Sequence, residues 1–264
     1  MITLLHFSDS HLFADKTRLL KGIRPYDSFA AVLKDAKTLN PDVSGIILGG
    51  DVAQDGNAST YRYVADMMQL WNAPVMVSPG NHDAPDILSL NLIPPLSAGN
   101  GYSDHLNLGQ WQVVTISTSR TRTITGFISE AELTRLQQIL ENTLEINTVI
   151  ALHHHPIPVG SRWMDDIGLE NSHQLWEIIK RHPQVKVTLC GHIHQEFDST
   201  FAGVRVLGSP STSVQFKPGE THFSMDDLSS GYRWIELLDH GEINTGINRV
   251  EGYIPPDLNN TIPY

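Results

Sequence analysis

Gly45-Ile-Ile-Leu-Gly-Gly-Asp51 is the stretch whose reading decides the fold. The apolar run Gly45–Leu48 reads as a buried strand that ends in glycine and a carboxylate. Helical apolar spacing precedes it over Tyr26–Leu39 and follows it over Ser59–Trp71. A strand set between two amphipathic helices implies βαβ units and a mostly parallel inner sheet. The alternation extends outward in both directions. Ile2–Phe7, Pro74–Ser78 and Val113–Ser117 read as further buried strands. Ser129, with Glu132 three residues on, predicts a capped helix whose Leu133, Leu136 and Leu140 share a face. Thr148–Leu152, a helix at Asn171–Arg181 and Val185–Leu189 repeat the pattern. Beyond His194 short strands with turn signals take over, at Glu196–Phe201, Val204–Leu207, Tyr232–Leu238 and Ile243–Val250. They predict an antiparallel C-terminal part. The whole predicts an α/β fold, a four-layer αββα sandwich of two mixed β-sheets flanked by helices. Residues 1–250 would form one domain, and residues 251–264, with three prolines, an extended tail or frayed end.

Composition sets limits on function. The chain has 264 residues, 40% of them apolar, enough for a sizeable core. Lys+Arg number 18 against 29 Asp+Glu, a net charge of −11, which argues against binding a nucleic acid polymer. Such a surface also repels an anionic ester, unless bound divalent cations reverse the field locally. Cys190 is the only cysteine, so no intrachain disulfide forms, as suits a reducing compartment. The start reaches Asp9 with no basic segment before it, a poor secretory signal. No apolar run approaches the roughly 20 residues that span a bilayer. A cytoplasmic protein without a membrane partner is expected. The Pro-rich tail and the strands near residue 232 are compatible with a homodimer.

Five motifs carry metal-binding side chains at predicted strand ends: Asp9-Ser-His11, Gly50-Asp51, Gly80-Asn81-His82-Asp83, His153-His154-His155-Pro156 and Gly191-His192-Ile-His194. The carboxyl ends of parallel strands open onto a shared crevice, so the five should converge, although Asp9 and His194 stand 185 positions apart. Imidazole suits zinc, iron, manganese or nickel, and carboxylates can bridge two ions. On an extended segment, side chains two apart point the same way, so Asp9 with His11, and His192 with His194, could each clasp one site. Each motif alone has a plainer reading. Asp-Ser-His is usually a loop, Gly-Asp a turn, Asn-His-Asp a helix cap, and three histidines a surface tract. Their joint occurrence, each after a strand, favours a metal site.

In this order the motifs resemble the calcineurin-like metallophosphoesterases over about residues 1 to 210. Leu12-Phe-Ala14, Asp51-Val-Ala-Gln-Asp55, His153-His-His-Pro156, Leu189–Glu196 and Pro210–Pro218 are further similar to the bacterial class III 3′,5′-cyclic AMP phosphodiesterases. The resemblance implies two divalent ions of iron, manganese or zinc. Asp9, His11 and His194 would hold the first, Asn81, His153 and His192 the second, and Asp51 would bridge them. His82 matches the family's catalytic histidine that binds no metal, and His11, Asp51, Asn81, His82 and His194 would meet the substrate. His154 and His155 would lie behind the ligands or in the pocket. Ser117 stands where related diesterases carry an aspartate, and Arg120–Ile124 also departs from the pattern, which bears on substrate preference.

The implied reaction is hydrolysis of a small phosphodiester, cyclic AMP, to 5′-AMP. A hydroxide shared by the ions would attack phosphorus, and His82 would protonate the leaving oxygen. Asp83 would orient His82 or, more simply, cap the next helix. Arg120 and Arg122 are candidates to meet phosphate, and Trp163 and Phe216 to stack on adenine. Against these stands the plainer reading of surface arginine and core aromatic. The alternatives are a diesterase of another preference, such as a glycerophosphodiesterase, and a metal-free interaction module.

Overall fold

The computed structural model describes residues 2–99, 104–121 and 123–264. In chain order the elements are β1 (Ile2–Phe7), α1 (Pro25–Leu39), β2 (Gly45–Leu48), α2 (Ala58–Met68), β3 (Val75–Val77), α3 (Pro85–Asn91), α4 (Ile93–Gly99), β4 (His105–Leu108), β5 (Trp111–Thr115), α5 (Glu130–Glu141), β6 (Asn147–Leu152), α6 (Arg162–Asp165), α7 (Ser172–Ile179), β7 (Val185–Cys190), β8 (Phe197–Phe201), β9 (Val204–Gly208), β10 (Gly231–Leu237) and β11 (Ile243–Arg249). They form two mixed sheets, ordered β11-β10-β1-β2-β3 and β4-β5-β6-β7-β9-β8.

The inner strands β2, β3 and β5 are buried along their whole length, and β6 and β7 nearly so, because each covers both faces. In β1, Leu4 points to the other sheet, while Leu5 and Phe7 meet the helices. Ile47 in β2 and Val149 and Ala151 in β6 likewise join the layer between the sheets, where Val187, Leu189 and Ile235 meet them. Ile46 and Leu48 pack on α1 and α2 through Phe29, Val32, Tyr61 and Val64. On the far side, Ile150 and Leu152 pack on α5 and α7 through Leu136, Leu140, Leu175 and Trp176. Helices therefore cover the outer face of each sheet. Ser129 caps α5, its hydroxyl accepting from the Glu132 N–H at 3.2 Å.

Several expectations need correction. The strands after His194, read as antiparallel, divide between the two sheets, and one of them runs parallel to its neighbour. β9 joins β7 in parallel, β8 pairs with β9 antiparallel, and β10 and β11 extend the first sheet beside β1. A sequence pattern reports pleat but not partner, and these strands complete both sheets. Since β10 lies between β1 and β11, only β11 presents a free edge on that side. β5 begins two residues before Val113 because it pairs with β4 in a hairpin, an element that the apolar pattern did not reveal. Of the two seven-residue helices α3 and α4, a helix following Asp83 was expected without bounds and α4 was missed; Pro85 stands at the first turn of α3.

The layer between the sheets is the part that cannot be thinned. Leu189 is fully buried there. Leu189→Ala should cost about 2–5 kcal/mol of stability, from lost burial and the cavity left behind, read as a lower urea midpoint.

Candidate metal centre

Three parallel strands of the first sheet, β1, β2 and β3, release Asp9–His11, Asp51 and Asn81–His82 at their carboxyl ends. β6 and β7 of the second sheet release His153–His155 and His192–His194 on the same side. The two sets meet over the seam. The N–H of His192 donates to both carboxylate oxygens of Asp9 at 3.1 Å, and that of Asp9 to the Gly50 carbonyl at 3.0 Å.

The backbone there is not extended. Asp9, His11, Asp51, His192 and His194 all have positive φ, between 47° and 67°. Each costs about 1–3 kcal/mol for a residue with a Cβ, a strain that persists where the surroundings impose a functional geometry. The left-handed bends separate side chains that an extended segment would align, so His192 and His194 do not clasp one site. His194 groups with Asp9 and His11, whereas His192 groups with His153 and His154. Glycine is required beside these bends. A Cβ on Gly80 would lie 2.2 Å from Asp51 Oδ1, and one on Gly191 2.1 Å from Ser8 Oγ.

The donors face one another at coordination spacing. Asp51 Oδ2 stands 3.4 Å from His153 Nε2 and 3.8 Å from His11 Nε2. Asp9 Oδ1 lies 3.4 Å from His194 Nε2, and Asn81 Oδ1 3.3 Å from His153 Nε2. Donors at roughly 2.1 Å from a common ion stand roughly 3.4 Å apart, so the residues fit metal. The outer nitrogens are already fixed. Nδ1 of His153 donates to the Gly49 carbonyl and Nδ1 of His194 to that of Val214, both at 2.7 Å, which leaves Nε2 of each facing inward. Gln54 holds Nδ1 of His11. His154, by contrast, spends both nitrogens, on the Thr118 hydroxyl at 2.7 Å and the Ile124 carbonyl at 3.1 Å. It fastens the loop after β5 instead of offering a donor.

Electrostatics point the same way. Burial pushes His11 down to about 3, even against the pull of Asp51, and lowers His192 far below its usual range. Both are held as neutral imidazoles, the form that can ligate a metal. Asp51 lies well below the carboxylate range because His153 and His82 outweigh its burial. Burial would lower His153 too, but Asp51 beside it brings it up to about 9. Burial pushes the Cys190 thiol up to about 12, which rules out a thiolate nucleophile here.

A cavity of about 150 Å³ opens above the donors, lined by His11, Asp51, Asn81, His82, His192 and His194 on one side and by Trp163, Phe216, Phe223 and Tyr264 on the other. Phe216 stacks on His194 with ring centroids 3.9 Å apart, and Trp163 meets Phe216 edge-on. Asp9 and His153 lie beneath, fully buried. Arg120 is turned away, paired with Glu170 at 2.6 Å, and Arg122 lies outside the described residues. Asp83 neither caps α3, which has no side-chain cap, nor touches the His82 ring. Its buried carboxylate accepts from the N–H groups of Val52, Ala53 and Gly80 and from the Tyr61 hydroxyl, tying the Asp51 loop to the Asn81 loop. The sequence gave no sign of this, since the carboxylate acts on backbone groups far along the chain. The tail is not frayed, because Tyr264 reaches the cavity wall.

The match to the calcineurin-like phosphoesterase model runs over residues 2–196, and the chain belongs to that family. Among its relatives is a 3′,5′-cyclic adenosine monophosphate phosphodiesterase, CpdA, of Pseudomonas aeruginosa, 36% identical over 96% of this chain and 92% of the relative. The CpdA of Haemophilus influenzae is 38% identical over 95% and 91%. A 3′,5′-cyclic-nucleotide phosphodiesterase of Nostoc sp. is 33% identical over 100% and 98%. A dimetal phosphatase from Danio rerio shares the fold, with a TM-score of 0.64 and 16% identity over 95% of this chain and 97% of its own.

Loading this centre must expel the proton that His153 keeps below a pKa of about 9. Apparent affinity for Mn²⁺ should therefore climb with pH toward about 9 and level off above it, with about one proton released per protein. Calorimetry in buffers of different ionisation heat reads both quantities. An affinity that is flat across that range contradicts the assignment.

Proposed function

We propose that the protein hydrolyses the cyclic phosphodiester of cyclic AMP to 5′-AMP at a centre of two divalent ions. Asp9, His11 and His194 would hold one ion, and Asn81, His153 and His192 the other. The observation that carries this reading is the place of Asp51, whose carboxylate faces His11 of one group and His153 of the other within 3.8 Å. The near full-length similarity to cyclic-nucleotide phosphodiesterases supports the substrate. Iron, manganese and zinc all accept such mixed nitrogen and oxygen donors. Bound there, such ions would supply Lewis acidity for activating water and would screen the phosphate charge.

The rest falls to side chains. His82 lies at the cavity mouth, its backbone N–H donating to Asp51 Oδ1 at 2.8 Å, its ring 5.0 Å from that of His11. The hydrogen bond ties His82 to the bridging carboxylate without using an imidazole nitrogen. The ring stays available to protonate the departing O3′ alkoxide. Asn81 and His194 line the same floor and orient the phosphate. The thiol state of Cys190 suits a reducing compartment, and we place the enzyme in the cytoplasm. Among the described residues, no helix is long and apolar enough to cross a membrane.

Comparing kcat/KM for cyclic AMP, glycerophosphoethanolamine and bis-p-nitrophenyl phosphate tests the substrate, and cyclic AMP as the poorest of the three defeats the proposal. His82→Ala should lower kcat by about 10²–10⁴ with metal content near that of the unaltered protein. Asp51→Ala should lose metal as well. Unchanged turnover in His82→Ala removes the acid role.

A further inference from the structure

The cavity above the donors is too small for the ligand proposed. Sites for small molecules run to about 300–1,000 Å³, and this one has about 150 Å³. The chain itself takes up room, for Pro263 and Tyr264 form one wall. The Tyr264 ring lies 5.3 Å from that of His11, 6.0 Å from Phe216 and 6.1 Å from Phe223. Its hydroxyl stands 3.4 Å from His194 Nδ1. The segment is held at two points upstream. Lys21 donates to Asn260 Oδ1 at 3.1 Å and to the Ile262 carbonyl. Pro256 covers Gly22 so closely that an added Cβ would meet its Cδ at 2.5 Å.

A second observation comes from the opposite wall. Trp163 meets Phe216 and Phe223 edge-on, with centroids 5.2 and 5.3 Å away. Its indole N–H is shielded from solvent and has no acceptor among the described residues. A buried indole N–H normally has one. Aromatic walls with one unanswered donor suit a flat ring that carries acceptor atoms, which is the chemistry of a nucleobase. Tyr264 presents a flat ring to the same aromatic group.

We propose that Trp163, Phe216 and Phe223 form the subsite for the base of a nucleotide phosphoester, and that Tyr264 fills it as a stand-in that withdraws when the nucleotide enters. This rests on the nucleotide reading of the site above. A ligand whose place is taken part of the time binds more weakly by that fraction, so the tail raises KM.

The test uses the metal-loaded full chain. Tyr264→Ala and Lys21→Ala should each lower KM for cyclic AMP about three- to tenfold, without raising kcat. Trp163→Phe, which keeps a ring and loses the donor, should raise it. As a readout independent of turnover, adding 5′-AMP should speed amide hydrogen exchange over residues 257–264. A KM that stays level or rises in both tail variants, or exchange that is slowed or unchanged by 5′-AMP, overturns the proposal. Turnover of cyclic AMP by the unaltered protein tests the function separately. A chain that frees its tail for 5′-AMP yet leaves cyclic AMP intact would refute the function and keep the subsite.

Discussion

Asp9 and Asp51 are two carboxylates buried together, each at most 2% exposed. Like charges in a low-dielectric interior repel strongly, and neither can find water there. Only positive charge at close range makes the arrangement stable. Without cations a proton on His153 supplies part of it, and this is why that imidazole is so basic while its neighbours are held neutral. Bent backbone, excluded Cβ atoms and histidines anchored by carbonyls all serve to keep these two carboxylates where a cation must come.

The neighbours of the centre show how the load is spread. Asp83 is a third buried carboxylate, pushed up to about 6 by burial and by Asp51. It is made tolerable by three backbone N–H groups and the Tyr61 hydroxyl, not by a cation. One acid therefore braces the loop that carries another. His154 plays a similar part on the opposite side, where it joins Thr118 to Ile124 beside Ser117. The Ser117 N–H turns to the Glu132 carboxylate instead, at 3.2 Å.

Much of this was legible in the sequence. Strands buried on both faces announce themselves as apolar runs, and a donor placed just after such a run must lie at a sheet's edge. β1, β2, β6 and β7 and the five motifs were readable for that reason. What escaped had no local signature. Seven-residue helices give too few turns for a period to show, and the C-terminal strands could not declare which sheet they join. Left-handed φ at His192 and His194 separates their side chains, so the rule for extended segments misassigned that pair while Asp9 and His11 still share one group. Asp83 and Tyr264 act on partners up to 253 positions away, as in the ring contact of Tyr264 with His11, and only the folded chain makes such partners neighbours.

The donors divide between the sheets: Asp9, His11, Asp51 and Asn81 follow strands of one, and His153, His192 and His194 follow strands of the other. Ions seated there would be rivets across the seam as well as reagents. Because they bind the folded form, occupancy adds to its stability by linkage, about 4 kcal/mol at a thousandfold excess over Kd. Scarcity of metal would then loosen the sandwich at its rim before its apolar middle gives way.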